Sequence, residues 1–447
     1  MAKNTILQKL FEPSDIAILV YFRIIFGAIM LWEVFRYFEH DWIDKYWIEP
    51  TFHFTYYGFD WLRPWPGDGM YFHFIAMGIL SVCIMIGFKY RISTILFFFA
   101  FSYMFLLEES RYLNHFYLIS LVSFVMMFVP AHKALSFDSW WNKKIRTDFV
   151  PAWSLWLLRI QIGVTYFFGG VAKINEDWLN GNPLRFWLAD RADTFPILGQ
   201  FFTEEWFVFF FAYSALLMDL VAVPFLLWKR SRIFAYGILV LFHVLNSQLF
   251  SLGIFPWFMI FATLIFFDPS WPRIFFKKFK TARKPQIRVS SLTKNQKIVL
   301  SLFLIFIIFQ VAMPLRHYAY PGNVSWTEEG HNFSWHMKLR DKDTTYIEFF
   351  ATDPKTGETW SIDHYEDLTE RQVSKMSTRP HMILQYSHFI AENLREEGYD
   401  DIEIRVKVIS SLNGRESQSL IDPNVNLAEH PVTILPKSWI VPLEKNS

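Results

Sequence analysis

The sequence predicts an α-helical polytopic membrane protein with about nine transmembrane helices, followed by a C-terminal extramembrane α+β domain. Two observations carry this prediction. Of the 447 residues, 53% are hydrophobic and 20% are aromatic, which is more than an ordinary soluble protein contains. Long apolar runs end near residue 313, and charged residues become frequent from 314 onward. We therefore expect a transmembrane domain over residues 1–313 and an extramembrane domain over residues 314–447.

The apolar runs have the length and low charge of membrane-spanning helices. They cover residues 14–38, 69–88, 91–107, 115–130, 154–174, 206–228, 232–250, 254–268 and 297–313. The pair after Arg232 could instead form one broken or re-entrant element. No cleavable small-residue pattern follows the N-terminus, so we expect the first run to be retained as a span.

Basic residues are concentrated in every second loop between the apolar runs. With the N-terminus inside, the inside loops contain Lys89 and Arg91, then four basic residues between 133 and 146, then three between 229 and 232. The last inside segment, 269–297, contains nine Lys or Arg and no acid. The positive-inside rule therefore predicts an inside N-terminus and, after an odd number of spans, an outside C-terminal domain.

In the C-terminal region, strand-like alternation and helical periodicity replace the long apolar runs. Residues 344–353 alternate as in a strand, a Pro-Lys-Thr-Gly-Glu turn follows, and residues 359–363 continue the pattern, which predicts a hairpin. Residues 369–397 have helical periodicity that Pro380 interrupts, and residues 402–409 alternate strictly. These patterns predict a small α+β domain.

Lys173 lies at the outer end of the fifth apolar run. A lysine at such a position must reach water, find a partner or lose its proton, and burial favours the neutral amine. Judged by position alone, a snorkelling residue at the membrane interface is the more common explanation. The alternative is a functional base.

Two other polar groups lie in or beside apolar runs. Asn114 and His115 open the fourth run, where they could orient a phenolate or simply cap a helix near the interface. His243 and Asn246 are three residues apart, so they share one helix face. They could form part of a site or hold membrane helices together.

A further candidate tract follows the last span. Aromatic and basic residues alternate through Trp335, His336 and Arg340. A membrane-skirting linker with an aromatic belt would have this composition. A binding site would instead need a ligand with a carboxylate, because Arg pairs well with that group.

Several kinds of chemistry have no support. Cys83 is the only cysteine, so neither an intramolecular disulfide nor a cysteine-based zinc or iron–sulfur site can form. No nucleotide-binding, zinc-protease or serine-hydrolase signature is present. The formal net charge of +1 identifies no partner, and we expect neither a metal ion nor a nucleic acid. The remaining chemistry needs an apolar cofactor or substrate that dissolves in the bilayer.

Several strings resemble the vitamin K-dependent γ-glutamyl carboxylase family and its bacterial relatives with the horizontally transferred transmembrane helix domain. The strings are Asn114-His115 and residues 166–181, 242–255, 269–272 and 333–337, with weaker similarity at 421–423 and 438–439. The resemblance extends over nearly the whole chain, in order and at similar spacing.

The resemblance implies a carbon–carbon lyase-type carboxylase with epoxidase activity. Lys173 falls on the lysine that deprotonates reduced vitamin K, and Asn114 and His115 fall on a pair in the same site. Oxidation of the quinol by O2 to an epoxide generates a strong base that removes a γ-proton from a glutamate of a protein or peptide, and CO2 then adds to the carbanion.

Further residues follow from the same resemblance. The tract with Trp335, His336 and Arg340 resembles the segment associated with glutamate binding. His243 and Asn246 are additional candidates for binding quinol or substrate, although His243 receives no specific role.

Departures from the animal enzymes qualify the resemblance. Ala172 stands where those enzymes have a second lysine, disulfide-capable cysteines are missing, and the animal chains extend well beyond this one. We therefore expect a bacterial inner-membrane protein with a cytoplasmic N-terminus and a periplasmic C-terminal domain. Its quinol would be menaquinol rather than phylloquinol. The alternatives are a quinol epoxidase or oxidoreductase without glutamate carboxylation, and a non-enzymatic transporter or assembly factor.

Overall fold

The apolar runs form helices in the computed structural model, which describes residues 6–250, 252–275, 285 and 291–444. Six of the helices in this part of the chain are long and apolar enough to cross a membrane, and three further apolar helices are shorter. In order they are α1 Ala17–Glu39, α2 Gly69–Ile86, α3 Tyr90–Leu106, α4 Asn114–Met126, α5 Trp153–Ala172, α6 Glu205–Leu227, α7 Arg232–Leu249, α8 Phe255–Thr263 and α9 Lys294–Leu315. The prediction of a multi-pass helical membrane protein is confirmed.

The helix boundaries follow local sequence signals. Gly87, at φ +68°, ends α2 in the left-handed conformation that glycine adopts without a Cβ penalty. Thr293 and Gln296 form a reciprocal capping box at the start of α9. Helix α7 ends at Leu249 and α8 begins at Phe255, so the two are separate helices. The basic segment 269–297, which the sequence predicts to lie inside, falls partly outside the described residues, because 276–284 and 286–290 are not among them.

The C-terminal region forms a four-stranded antiparallel sheet with the order β2-β1-β3-β4. Its strands are β1 Lys342–Thr352, β2 Thr359–Ile362, β3 Glu403–Leu412 and β4 Gln418–Ser419, and its helices are α10 Glu370–Met376 and α11 Pro380–Glu396. The hairpin, the helix break at Pro380 and the last predicted strand are therefore observed.

One face of this sheet buries its apolar side chains against α11. Phe349 pairs with Val406 across β1 and β3, and both are buried in one cluster with Ile383 and Tyr386 of α11. Strict alternation along β3 explains this burial, because every second side chain points to the same face. Burial of such apolar surface is the main stabilising contribution to the region.

Ion pairs and hydrogen bonds join the sheet region to the membrane helices. Arg415, just after β3, binds both carboxylate oxygens of Asp177, which follows α5. Glu109, just before α4, accepts hydrogen bonds from Asn332 at 2.7 Å and pairs with His381 of α11 at 3.0 Å. These contacts fix the start of α4 and the end of α5 relative to the C-terminal sheet.

Candidate active site

A cavity of ≈ 350 Å³ lies where helices α4 to α8 meet the segment 328–341. Aromatic and aliphatic side chains form most of its wall, including Trp178, Phe211 and Phe255. Polar side chains from the same helices and from the segment 328–341 face the same space. Apolar walls with a few convergent polar groups are typical of small-molecule sites.

Lys173 reaches this cavity and has a partner inside the membrane domain. Its Nζ donates hydrogen bonds to Asp219 Oδ2 of α6 at 2.7 Å and to the Gly169 carbonyl at 3.1 Å. Both Lys173 and Asp219 are 5% exposed. The lysine therefore does not snorkel to water; it forms a buried ion pair on the cavity wall.

Glycines in α5 allow α6 to approach this closely. A Cβ on Gly169 would lie 3.5 Å from Asp219 Oδ2 and 2.8 Å from Met337 Cε. A Cβ on Gly170 would lie 3.0 Å from the Leu220 backbone nitrogen. The Gly-Gly pair one turn before Lys173 is therefore a packing requirement of the ion pair.

We expect Gly170→Ala to lower the thermal unfolding midpoint in detergent. The added methyl meets the Leu220 backbone, so α5 and α6 must separate, and overpacking of this kind costs about 1–3 kcal/mol. Gly237→Ala in α7 is the matched control, because nothing lies within 4 Å of its Cβ position and alanine is the better helix former. Equal midpoints for the two variants would contradict this packing role.

The residues that follow Lys173 pack beside its side chain. Asn175 caps the short helix Glu176–Leu179 through a 3.0 Å bond from the Trp178 backbone nitrogen. The Trp178 indole donates to the Ala212 carbonyl of α6, and its ring centroid lies 5.4 Å from Lys173 Nζ. The ring thus shields the amine from one side.

Asn114 joins α4 to the segment 328–341. Its Nδ2 donates to the His336 carbonyl at 3.1 Å, and its Oδ1 accepts from the Tyr112 hydroxyl at 3.0 Å. The same hydroxyl accepts from the Phe333 backbone nitrogen at 2.6 Å. Asn114 lines the cavity, and the second N–H of its amide has no hydrogen-bond partner among the described residues.

The histidines of α4 and α7 meet at Phe255. The His115 ring stacks on Phe255 at 5.7 Å, whereas the His243 ring contacts it edge-on at 6.1 Å. His243 Nε2 lies 2.9 Å from the Tyr166 hydroxyl, which also lies 2.8 Å from Thr263 Oγ1. Asn246 lines the cavity one turn beyond His243. Together these residues provide a ring-lined surface with several hydrogen-bonding groups.

The segment 328–341 has a strained backbone where it crosses the cavity. Phe333, Trp335 and Lys338 have φ values of +63°, +59° and +53°, which non-glycine residues rarely adopt. Such strain concentrates at functional sites. The turns place Trp335 behind the cavity wall, against Tyr117 at 5.0 Å, while His336 and Arg340 line the cavity.

His336 is a buried, uncharged group at this surface. Burial, reinforced by His317, Arg316 and Lys173, lowers the pKa of His336 to about 3. Neither of its ring nitrogens has a hydrogen-bond partner among the described residues. A buried imidazole without a partner can accept or donate one hydrogen bond to a bound molecule.

A second cavity of ≈ 730 Å³ adjoins the first on the side of the sheet. Lys338, Arg340 and Arg379 line both cavities, and Lys342 and Lys375 line the second. We call these five residues the basic cluster. Arg340 pairs with Glu328, but Arg379 has no ion-pair partner among the described residues.

Electrostatic crowding is evident within the basic cluster. Burial and the neighbouring cations, Arg379 first among them, lower the pKa of Lys375 to about 8. The ammonium of Lys338 is held over the rings of Trp187 at 5.3 Å and Phe250 at 4.8 Å. A buried cation without a paired anion is costly, so Arg379 in this cluster is suited to bind an anion.

The structure thus brings Lys173, Asn114, His115, His243 and Asn246 to one cavity, together with His336 and Arg340. Trp335 is the sequence-predicted site residue that lies outside its wall. Sequence reasoning missed Asp219, Tyr166 and Arg379. Asp219 had a readable signal, since it is the only charged residue within the body of α6 after Glu205. Arg379 had none, because its role depends on how α11 docks.

The fold defines a polytopic membrane protein with a largely apolar cavity at one end of its helices. Residues 11–271 match the HTTM domain, and residues 295–446 match the lumenal domain of vitamin K-dependent gamma-carboxylase. The two matches follow one another and together cover most of the chain, so the protein belongs to the vitamin K-dependent gamma-carboxylase family. This membership implies an enzyme that uses reduced vitamin K and acts on glutamate-containing proteins. No solved structure matches the chain.

The cavity has features that suit a reduced naphthoquinone. Its apolar rings match a bicyclic head group, and its polar groups include an amine, a free amide N–H and unpartnered imidazole nitrogens. A volume of ≈ 350 Å³ falls within the range of natural ligand pockets. Among the described residues, no cluster of His, Cys, Asp and Glu has the arrangement of a metal site.

Proposed function

We propose that this protein is a γ-glutamyl carboxylase that couples the epoxidation of a reduced vitamin K-type quinol by O2 to the addition of CO2 at the γ-carbon of a protein glutamate. The observation that carries the proposal is the buried Lys173 amine on the wall of a ring-lined cavity that adjoins the basic cluster. Oxidation of the quinol by O2 would supply the energy needed to form a base that is strong enough to remove a γ-proton from glutamate.

Lys173 is proposed as the base that takes the first proton from the quinol. A general base must lie within hydrogen-bond reach of the proton it removes. The Lys173 amine is anchored by the Gly169 carbonyl and Asp219, so its position on the wall is fixed. The second Asn114 N–H and the His115 ring are proposed to hold the quinol oxygens, where a hydrogen-bond donor stabilises developing negative charge.

The basic cluster is proposed to bind the glutamate. A carboxylate entering from the sheet side meets Arg340 and Arg379 at the junction of the two cavities. Its γ-carbon would then face the first cavity. Guanidinium groups bind carboxylates by paired hydrogen bonds, which fixes orientation as well as position. His336, uncharged and unpartnered, lies on the same wall.

His243 is proposed to shape the quinol site through Tyr166 rather than to exchange a proton. The Tyr166 hydroxyl bridges His243 and Thr263, so the three side chains form one hydrogen-bonded unit. Asn246 extends the same helix face. Trp335 would act indirectly, by packing behind the strained segment that bears His336 and Arg340.

We also propose the cellular arrangement expected from the loop charges. The N-terminus is cytoplasmic, the C-terminal domain beyond residue 313 is periplasmic, and menaquinol in a bacterial inner membrane is the quinol. The match to a lumenal domain supports an extracytoplasmic C-terminal region.

The proposed reaction has a direct test. Purified protein is incubated with reduced menaquinone, O2, labelled bicarbonate and a glutamate peptide. We expect labelled γ-carboxyglutamate and quinone epoxide to form together. Epoxide without label would leave a quinol epoxidase, and neither product with several quinols would exclude both functions.

Binding of the glutamate peptide should weaken as the pH rises through about 8, because Lys375 then loses its charge. The cation is present below this pH and absent above it, so the KM for the peptide should increase over pH 7–9. Lys375→Arg keeps its charge throughout and should flatten the profile. A KM that is equally pH-dependent in both proteins would show that Lys375 does not contact the peptide's charge.

A further inference from the structure

Asp219, the buried partner of Lys173, is not among the site residues that the sequence predicts. Asp219 lies 46 residues after Lys173 in a different helix, yet its Oδ2 lies 2.7 Å from Nζ. Among the described residues, Lys173 Nζ is its only hydrogen-bonding partner, and both side chains are buried. A carboxylate inside a membrane helix is costly and usually functional.

The contact affects how Lys173 can work as a base. An apolar wall alone would favour the neutral amine, whereas a carboxylate at hydrogen-bond distance favours the ammonium. The two side chains are joined by a 2.7 Å hydrogen bond. Once the amine is neutral, the same carboxylate makes it a stronger base, because the ammonium that forms on proton transfer is already matched by an anion.

We infer that Asp219 is a positioning residue of the proposed reaction: it orients the Lys173 amine toward the cavity and stabilises the ammonium that forms when the amine takes the quinol proton. This inference rests on the proposed function. It has a parallel in the serine proteases, where a buried Asp orients the catalytic His and stabilises the imidazolium.

The proposed step transfers one proton from the quinol hydroxyl to the Lys173 amine. The Lys173 nitrogen gives its lone pair to the proton, an N–H bond forms, and the quinol O–H bond breaks with its electron pair left on oxygen. No oxidation or reduction accompanies this step. The ammonium then lies between two anions, the Asp219 carboxylate and the quinolate oxygen.

Other titratable and charged groups face the same cavity from α4, α5, α7 and the C-terminal region. They are Tyr112, His115, Tyr166, His243, His331, His336, Lys338, Arg340 and Arg379. All of them are retained when Asp219 is replaced. A comparison of Asp219 variants with the unmodified protein therefore isolates the effect of the carboxylate.

Asp219→Asn tests the inference by two readouts over pH 6–10. The first is the rate at which a small amine-reactive reagent labels Lys173, followed by mass spectrometry, which reports the neutral amine without any turnover. The second is the rate of epoxide formation. We expect the labelling midpoint to fall by at least about one pH unit, because the ammonium loses its anion. We expect the maximal epoxidation rate to fall about tenfold or more, because the ammonium formed in the reaction is no longer matched.

Asp219→Glu is the matched variant, since it keeps the charge and should keep the labelling midpoint close to that of the unmodified protein. If Asp219→Asn does not fold, Asp219→Ser removes the same charge with a smaller side chain. An unchanged midpoint, or an unchanged or higher maximal rate in the uncharged variant, would overturn the inference. If the unmodified protein makes no epoxide from any quinol, the proposed function fails, while the labelling midpoints still test the pair.

Discussion

Lys173→Arg should lower the rate of quinol epoxidation at neutral pH by at least about 100-fold, because a general base contributes roughly 10²–10⁴. Arginine keeps the positive charge and can still pair with Asp219, so the fold retains its buried ion pair. A guanidinium does not lose its proton in proteins, however, so it provides no base. The measurement is the initial rate of epoxide formation from reduced menaquinone in detergent or nanodiscs.

Lys173→Ala should be equally inactive but is the weaker test. It leaves the Asp219 carboxylate buried without a partner, and breaking a buried pair in this way costs about 3–5 kcal/mol. A loss of activity in the alanine variant could therefore reflect unfolding. An unchanged rate in a folded Lys173→Arg protein would exclude the amine as the base.

Arg379→Ala should raise the KM for a glutamate peptide by about 10-fold to 100-fold, since a hydrogen bond to a charged group contributes roughly 1.5–3 kcal/mol. Arg379 lies at the junction of the two cavities and is 6% exposed. It has no ion-pair partner among the described residues, so its removal strands no carboxylate. Steady-state carboxylation over a range of peptide concentrations gives the KM.

Arg395→Ala is the matched control for this variant. Arg395 lies in the last turn of α11, the helix that follows Arg379 directly, but it is exposed and lines neither cavity. Its removal changes the net charge equally and should leave the KM unchanged. If both variants raise the KM to the same extent, the effect is one of overall charge and Arg379 does not bind the peptide.

Much of the fold could be predicted from period and length. Apolar runs predict membrane helices because the bilayer core fixes how many apolar residues are needed. The alternation along Glu403–Leu412 predicts a strand because successive side chains point to opposite faces. Both signals are local, and the structure retains them.

Less of the site could be predicted from the sequence, because its contacts join residues that are far apart in the chain. Lys173, Asn114 and His115 could be identified from their strings, but the pairing of Lys173 with Asp219 depends on how two glycines let α5 and α6 approach. Trp335 and His336 are adjacent in sequence, yet the positive φ of Trp335 sends their side chains to different surroundings. Neither helix docking nor a strained turn of non-glycine residues has a reliable sequence signal.

The most direct test of the account is an experimental structure of the protein with a bound naphthoquinone of the menaquinone type. We expect the quinone ring in the cavity beside Phe255, with one ring oxygen within about 3.5 Å of Lys173 Nζ, the outer limit of a hydrogen bond. A quinone bound elsewhere, or in this cavity with both oxygens far from Lys173, would contradict the proposed role of the amine.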